Sequence, residues 1–452
     1  MSELKSSKRY CIIGAGASGL AIAKTFKQRG IPFDCFEQLS GVGGIWNPDS
    51  PNLVYESTYL NSSKKLSRYS DFPMPENYPQ YLSSQQAYEY IDAYANTFGV
   101  ADHITFNSEV ERAERVDGKW RVKLSGETKP RKYDGLVVAN GHHWDPKIPD
   151  YPGNFSGELL HSHAVKRRDQ LKDKRVVVVG AGNSGTDIAC DAATDSKSAI
   201  HSMRRSYFFF PKLIFGKPTD VFVDLTSRWP LPRRFLRWVY TKGLKILFGS
   251  HENYGLPDPD HKLFEAHPTA ASTYLDHIAH GRIVPKPAIA RLEGTHVVFE
   301  DGSKEEADLI VCATGFHVRF PFIDETTILE PDGRSKLFLH AFHRDYDNLF
   351  VAGLMEPAEG GVWQLADYQA KLIASYIVAM ERDPDTAKWF DRLKATAVPD
   401  VGHGIAYRDT GWHKFEIQHY RYRSYIKRLL KKFGASASER FADGKAKAAA
   451  VS

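Results

Sequence analysis

Gly14, Gly16 and Gly19 form a GxGxxG pattern directly after the apolar run Arg9-Tyr-Cys-Ile-Ile, and Glu37 ends the next apolar run, Pro32-Phe-Asp-Cys-Phe. These residue types in this order suit a dinucleotide. The first glycine permits a tight turn, the second lets the backbone approach a pyrophosphate, and the third lets helix and strand pack closely. The segment Gly14-Ala15-Gly16-Ala17-Ser18-Gly19 opens a helix, whose free N–H groups and partial positive charge favour an anion. Glu37 lies 23 residues after Gly14 and can accept hydrogen bonds from a ribose diol. A bare GxGxxG is a weak signal; a preceding strand, a following helix and this acid make it a nucleotide site.

The pattern returns as Gly180, Gly182, Asn183, Ser184 and Gly185 after the strand-like run Arg175-Val-Val-Val-Val179. At the offset where the first unit has Glu37, the second has Met203, flanked by Ser202, Arg204 and Arg205. Two arginines and a hydroxyl suit a ribose 2′-phosphate, which an acid would repel. The second site is therefore expected to take NADPH, and the first, acid-bearing site to hold FAD. A tightly held flavin and an exchangeable nicotinamide make an oxidoreductase in which the flavin carries the chemistry.

The elements that must position these residues follow from the same reading. Leu20 to Arg29 reads as a helix stopped by Gly30, and Thr186 to Ala193 as its counterpart. Two more apolar strands end in small-residue turns, Leu136-Val-Val-Ala-Asn-Gly141 and Leu309-Ile-Val-Cys-Ala-Thr-Gly315, with Asp301-Gly302 as a hairpin turn before the second. The predicted fold is α/β with two Rossmann-like dinucleotide-binding domains, the NADPH domain inserted in the FAD domain. Residues 1–165 and 297–452 are assigned to the FAD domain and 166–296 to the NADPH domain. An aromatic and basic insertion near 207–250, read as lying over a cleft, belongs to the latter. In it Phe208-Phe209-Phe210, Trp229 and Trp238 would suit an apolar or cationic amine guest, or else a core or a homodimer interface. The tail from Ala435, rich in Ala, Ser and Lys, is expected to be mobile.

Composition narrows the class. A formal charge of +5 over 452 residues does not suggest nucleic-acid binding. No apolar run reaches the ~18 residues of a membrane span, and the polar N-terminus lacks the apolar stretch of a secretory signal, so a cytoplasmic enzyme is expected. Cys11, Cys35, Cys190 and Cys312 are far apart, which excludes a CxxC dithiol centre and, with it, disulfide reduction. The histidines at 142–143 and at 161 and 163 have no carboxylate or thiol at metal-ligand spacing, so no metal is expected.

The chain resembles the flavin-containing monooxygenases, class B flavoprotein monooxygenases, from about residue 9 to about residue 375. The resemblance is carried by Gly41-Val-Gly-Gly44-Ile45-Trp46, Asn61-Ser62-Ser-Lys64, Ser70-Asp-Phe-Pro73, Gly141-His142-His143, His251-Glu-Asn-Tyr-Gly-Leu256 and Ala313-Thr-Gly-Phe316. The family fingerprint FxGxxxHxxx plus an aromatic is met at Phe155, Gly157 and His161 and departs at Val165, which favours neither subclass. His161 is read as a linker residue ahead of the second nucleotide domain.

The resemblance implies that NADPH reduces FAD and that reduced FAD captures O2 as a C4a-hydroperoxide. This would oxygenate nitrogen or sulfur of a small nucleophile while NADP+ shields it from water. It places Gln38, Gly44, Ile45, Trp46, Asn61 and Ser62 at the flavin. It makes Asn61, whose amide both donates and accepts, the catalytic candidate, and puts Gln369 on a helix that starts near the flavin ring. The alternatives are Baeyer–Villiger oxygenation of ketones, an NADPH oxidase or flavin reductase releasing hydrogen peroxide, and a non-catalytic nucleotide-binding module.

Overall fold

The computed structural model describes residues 8–434 apart from 52–53, 271–272, 403, 406 and 408–410 and the side chains of 411 and 412; the tail from Ala435 lies outside the described residues. Six helices bear on the site: α1 (Ala17–Arg29), α2 (Asn183–Asp195), α3 (Thr219–Thr226), α4 (Arg233–Phe248), α5 (Val362–Arg382) and α6 (His419–Lys432).

Two five-stranded parallel sheets organise the chain. The first runs Leu349–Val351, Gly135–Val138, Tyr10–Ile13, Phe33–Phe36, Ile104–Thr105. The second runs Glu158–His161, Leu309–Cys312, Arg175–Val179, Ser198–Ser202, Ile283–Lys286. Strands buried on both faces read as continuous apolar runs, and Tyr10–Ile13, Gly135–Val138 and Leu309–Cys312 are buried throughout.

In each sheet the glycine-motif strand is central. Its neighbour on one side follows the helix; its neighbour on the other ends in the small-residue turn. The close approach is steric. A Cβ on Gly14 (φ +98°) would sit 2.5 Å from Ala139 O, and one on Gly180 (φ +113°) 2.4 Å from Ala313 O. Gly19 and Gly185 let α1 and α2 pack on the same turns, where a Cβ would come 1.9 and 1.7 Å from Gly14 O and Gly180 O. The match extends 21 residues past each first glycine. Cys35 Sγ lies 3.9 Å from Gly14 O, and His201 Nε2 lies 2.8 Å from Gly180 O.

The sequence boundaries at 165 and 297 fall inside the second sheet, because Glu158–His161 and Leu309–Cys312 pair there. Both strands flank long excursions, and their partners lie far away in sequence. We propose the NADPH domain as about 158–315. Asp301-Gly302 does turn a hairpin, between His296–Phe299 and Lys304–Glu306. Residues 207–250 contain α3 and α4 as expected. No helix among the described residues is long and apolar enough to cross a membrane.

Candidate functional site

A cavity of about 520 Å³ lies where the first glycine turn, the Asn61 loop, the 207–226 segment, the start of α2 and the loop before α5 meet. Its wall includes Gly14, Gly16, Ala17, Ser18, Glu37, Gln38, Gly44, Ile45, Trp46, Asn61, Ser62 and Asn183. Residues as far apart in sequence as Ile13 and Trp363 thus share one space.

Three helices begin at this region with a glycine and no side-chain cap. Gly16 precedes α1, Gly182 precedes α2 and Gly361 precedes α5. Each leaves its first N–H groups without intrahelical partners, and the helix dipole adds positive potential. Gly16 and Gly182 have room for a guest: a Cβ on Gly16 would meet only Gly44 Cα, at 3.8 Å, and one on Gly182 nothing within 4 Å. Gly43 N donates to Ala15 O at 3.1 Å, which folds the Gly41–Trp46 segment over the first turn. Trp46 stacks edge-on against Trp363 of α5 with centroids 5.8 Å apart.

Glu37 is buried and accepts from Ala15 N at 2.6 Å and Leu39 N at 3.0 Å. Burial raises its pKa above the usual carboxylate value, against the pull of these N–H groups. Four acceptor positions on a carboxylate leave capacity for a ribose diol. Asn61 lines the cavity with its amide unbonded among the described residues. It is not a helix cap; Ser63 occupies that position for the short helix Lys64–Ser67. Ser62 Oγ pairs with Ser67 Oγ at 2.6 Å, and Ser63 N donates to Asp220 Oδ2 of α3 at 2.6 Å, which ties the Asn61 loop to the insertion.

The other sequence-assigned residues fall outside the cavity wall. Ala15, Gly19, Gly180, Gly182, Ser184 and Gly185 shape the two turns. Gln369 is fully buried in α5, accepts from Gly353 N at 3.0 Å and donates to Tyr422 Oη at 2.6 Å. It positions the wall residue Gly353 and does not itself face a guest. Ser202 is fully buried and its hydroxyl donates to Pro287 O at 2.8 Å. Arg204 is exposed, Arg205 is half-buried, and neither has an ion-pair partner among the described residues. Two unneutralised guanidinium groups stand at the end of the second strand of this unit, as a 2′-phosphate site requires.

His161 is buried outside the wall, with Nε2–H donating to Gly315 O at 2.9 Å and Nδ1 accepting from His163 N at 3.2 Å. It joins the ends of two paired strands of the second sheet, and so lies within that sheet instead of in a linker ahead of it. The aromatic expectation divides. Phe210 faces the cavity, Phe209 is buried against Tyr274, and Trp229 and Trp238 are 51% and 57% exposed. The two tryptophans are exposed on the insertion and lie outside the cavity wall. Phe264, which the sequence did not single out, lines the cavity beside Phe210, their rings 6.0 Å apart.

Long-range pairing also placed carboxylates the sequence could not. Glu356 Oε1 accepts from His142 Nε2 at 2.5 Å and lies 3.1 Å from His143 Nε2. Local spacing around His142-His143 showed no acid because its partner is 214 residues away. The three ligand-type atoms lie within 4.8 Å of one another. The two imidazoles hold the Glu356 carboxyl well below the usual range despite its burial.

The residues fit the two cofactors expected. Paired glycine cradles, uncapped helix starts, a buried acid on the first site and free arginines on the second match FAD and NADPH in turn.

A family model described as flavin-binding monooxygenase-like matches residues 7–426. Dimethylaniline monooxygenase (N-oxide-forming) 2 of Pan troglodytes is 31% identical over 391 residues, 81% of this chain and 72% of that protein. Among solved structures, S-allyl-L-cysteine S-oxygenase from Allium sativum superposes with a TM-score of 0.64 at 21% identity, covering 98% of this chain and 92% of that one. The OTEMO complex with FAD and NADP reaches 0.68 at 19% identity, covering 94% and 98%.

Proposed function

This chain belongs to the flavin-binding monooxygenase-like family, and on that premise we propose that it oxygenates nitrogen or sulfur of small nucleophilic substrates. It is an FAD-containing, NADPH-dependent monooxygenase. The observation that carries the finer reading is the shared cavity. The FAD cradle, Asn61, Asn183 of the NADPH unit and the aromatic residues Phe210 and Phe264 all line it. A relative named for N-oxide formation, 31% identical to this chain, supports the heteroatom reading.

When bound, FAD accepts hydride from NADPH and activates O2. The chain supplies the rest. Glu37 and the α1 N-terminus hold one nucleotide; Arg204, Arg205 and the α2 N-terminus hold the other. Trp46, Trp363 and the insertion exclude water from the space between them. Asn61 presents a free amide there. None of Cys11, Cys35, Cys190 and Cys312 is disulfide-bonded and none lines the cavity, which argues against thiol chemistry.

The test is a panel of a tertiary amine, a sulfide and a cyclic ketone, with NADPH consumption, product and peroxide all quantified. The heteroatom reading expects amine or sulfide product near one per NADPH. Ketone turnover alone, or peroxide alone, would replace it with the Baeyer–Villiger or the oxidase reading.

A further inference from the structure

Four buried carboxyl groups line the cavity: Glu37, Asp220, Glu356 and Glu359. Three are committed. Glu37 accepts from two main-chain N–H groups, Asp220 from Ser63 N and Val221 N, and Glu356 from two imidazoles. Glu359 differs. It is 9% exposed, and its sole partner among the described residues is Gln418 Nε2, which donates to Oε1. Its second oxygen, Oε2, is unbonded, and no cation stands at ion-pair distance. An ionisable group buried in a cavity wall with half its capacity unused is a site for a ligand's charge.

We infer that Glu359 recognises the protonated form of an amine substrate and accepts its proton before oxygen transfer. This rests on the monooxygenase reading above and names the substrate class: basic amines that are cations at neutral pH. The same wall carries Phe210 and Phe264, their rings 6.0 Å apart, which set an apolar surface alongside the carboxyl. Glu359 directly precedes Gly360-Gly361, which lead into α5, and all three residues line the cavity.

The chemistry requires the substrate's proton to leave first. An ammonium nitrogen has no lone pair and cannot take up oxygen. When the N–H bond breaks and an O–H bond forms at Glu359 Oε2, the lone pair is freed. The balance closes without another reactant: R3NH+ + NADPH + O2 gives R3NO + NADP+ + H2O. The two electrons of NADPH and the two lost by nitrogen reduce O2. The proton that oxygenation consumes is the substrate's own, passed through Glu359 to the departing water.

The surroundings set the working range. Burial is the largest influence and pushes the Glu359 carboxyl up to about 7, with Asp224 and Glu416 adding to the rise and Arg233 and Gln418 opposing it. Arg233 itself donates to Ser227 Oγ at 3.3 Å and lies over Phe264, and Asp224 is paired with Arg228 and Arg423. The His419 ring packs against Gly360, and His267, Tyr240 and Tyr407 complete the ionisable groups nearby. A carboxyl near 7 accepts a proton and gives it up again at neutral pH.

The experiment compares holoenzyme and Glu359→Gln on N,N-dimethylbenzylamine and on methyl phenyl sulfide, which carries no proton. For the wild type, kcat/KM for the amine should rise with pH through about 7 while the sulfide profile stays flat. In Glu359→Gln, amine kcat/KM at pH 7 should fall at least tenfold and its rise should move to the amine's own, higher pKa. Sulfide turnover should stay within twofold. An equal loss on both substrates, or an amine profile unchanged by the substitution, overturns the role of Glu359. If the wild type oxygenates neither substrate, the monooxygenase reading fails instead. Glu359→Asp, with flavin absorbance as the check on folding, should restore the neutral-pH rise where Gln does not.

Discussion

Asn61 and Glu37 both line the cavity, and their side chains are in opposite states. Glu37 is fixed by the main-chain N–H groups of Ala15 and Leu39, whereas the Asn61 amide is unbonded among the described residues. A free donor and acceptor in the cavity wall can hold a reactive oxygen species in place. Asn61→Ala should therefore raise the fraction of NADPH oxidation that ends as hydrogen peroxide several-fold, with FAD content unchanged. Peroxide and product yields measured together check this, and unchanged coupling would exclude the role. At this scale the sequence was legible where a residue's chemistry depends on its near neighbours, as for Gly14, Gly16 and Glu37. It was not legible for Ser202, whose hydroxyl is used by Pro287, nor for Glu359, whose place depends on Gln418, 59 residues away.

Two elements carry the cofactor argument. The strand Ser198–Ser202 delivers Arg204 and Arg205 without neutralising partners, and a charge-assisted bond to phosphate is worth about 1.5–3 kcal/mol. Arg204→Ala should raise KM for NADPH by roughly tenfold or more and leave KM for NADH nearly unchanged; equal effects on both would show that it does not meet the 2′-phosphate. The second element pair is α1 with α5, whose N-termini both face the cavity. Lys24, fully buried in α1, reaches Asp71 at 2.7 Å and Asp367 of α5 at 2.9 Å, and Lys371 lies 3.1 Å from Asp367. Two cations and two anions balance. Lys24→Met leaves a buried net charge of −1, and breaking a buried pair by removing one partner costs about 3–5 kcal/mol. Chemical unfolding should show a loss of that size, with weaker FAD retention. The glycine turns and helices were legible because local sterics dictate them. The α1–α5 network was not, since Lys24 and Asp367 stand 343 residues apart and either alone reads as a surface charge.

Across the whole molecule the two parallel sheets were readable from apolar runs, but their outer strands were not, because strand partners hundreds of residues apart leave no local mark. The same long-range closure buries ionisable groups from distant segments together, and this gives the protein a defined stability profile. Glu416 pairs in register with Glu356 and shares a short bond, 2.5 Å, with His413 Nδ1. Burial pushes its carboxyl up to about 8, and Glu359 sits at about 7. Both folded values lie above the ordinary carboxylate value, so the native state holds protons that the unfolded chain has already lost. Their contribution is complete at low pH and disappears as pH rises through 7 and then 8. Two buried imidazoles, His201 and His340, act in the opposite sense. Each is lowered to about 4, so the stability they provide is intact above 6.5 and is lost as pH falls toward 4. Between 6.5 and 8.5 the loss from the carboxyls outweighs the small gain from the imidazoles, which are still half-protonated in the unfolded chain at 6.5, and a shift of one unit corresponds to about 1.4 kcal/mol. The wild type should therefore be less stable at pH 8.5 than at pH 6.5 by about 2 kcal/mol, mostly through Glu416. Glu416→Gln, which cannot ionise, should lose most of that slope while Glu359→Gln removes a smaller part. Urea unfolding at the two pH values measures all three. A wild type equally stable at both, or a Glu416→Gln slope as steep as the wild type's, would show that Glu416 is ionised in the folded protein.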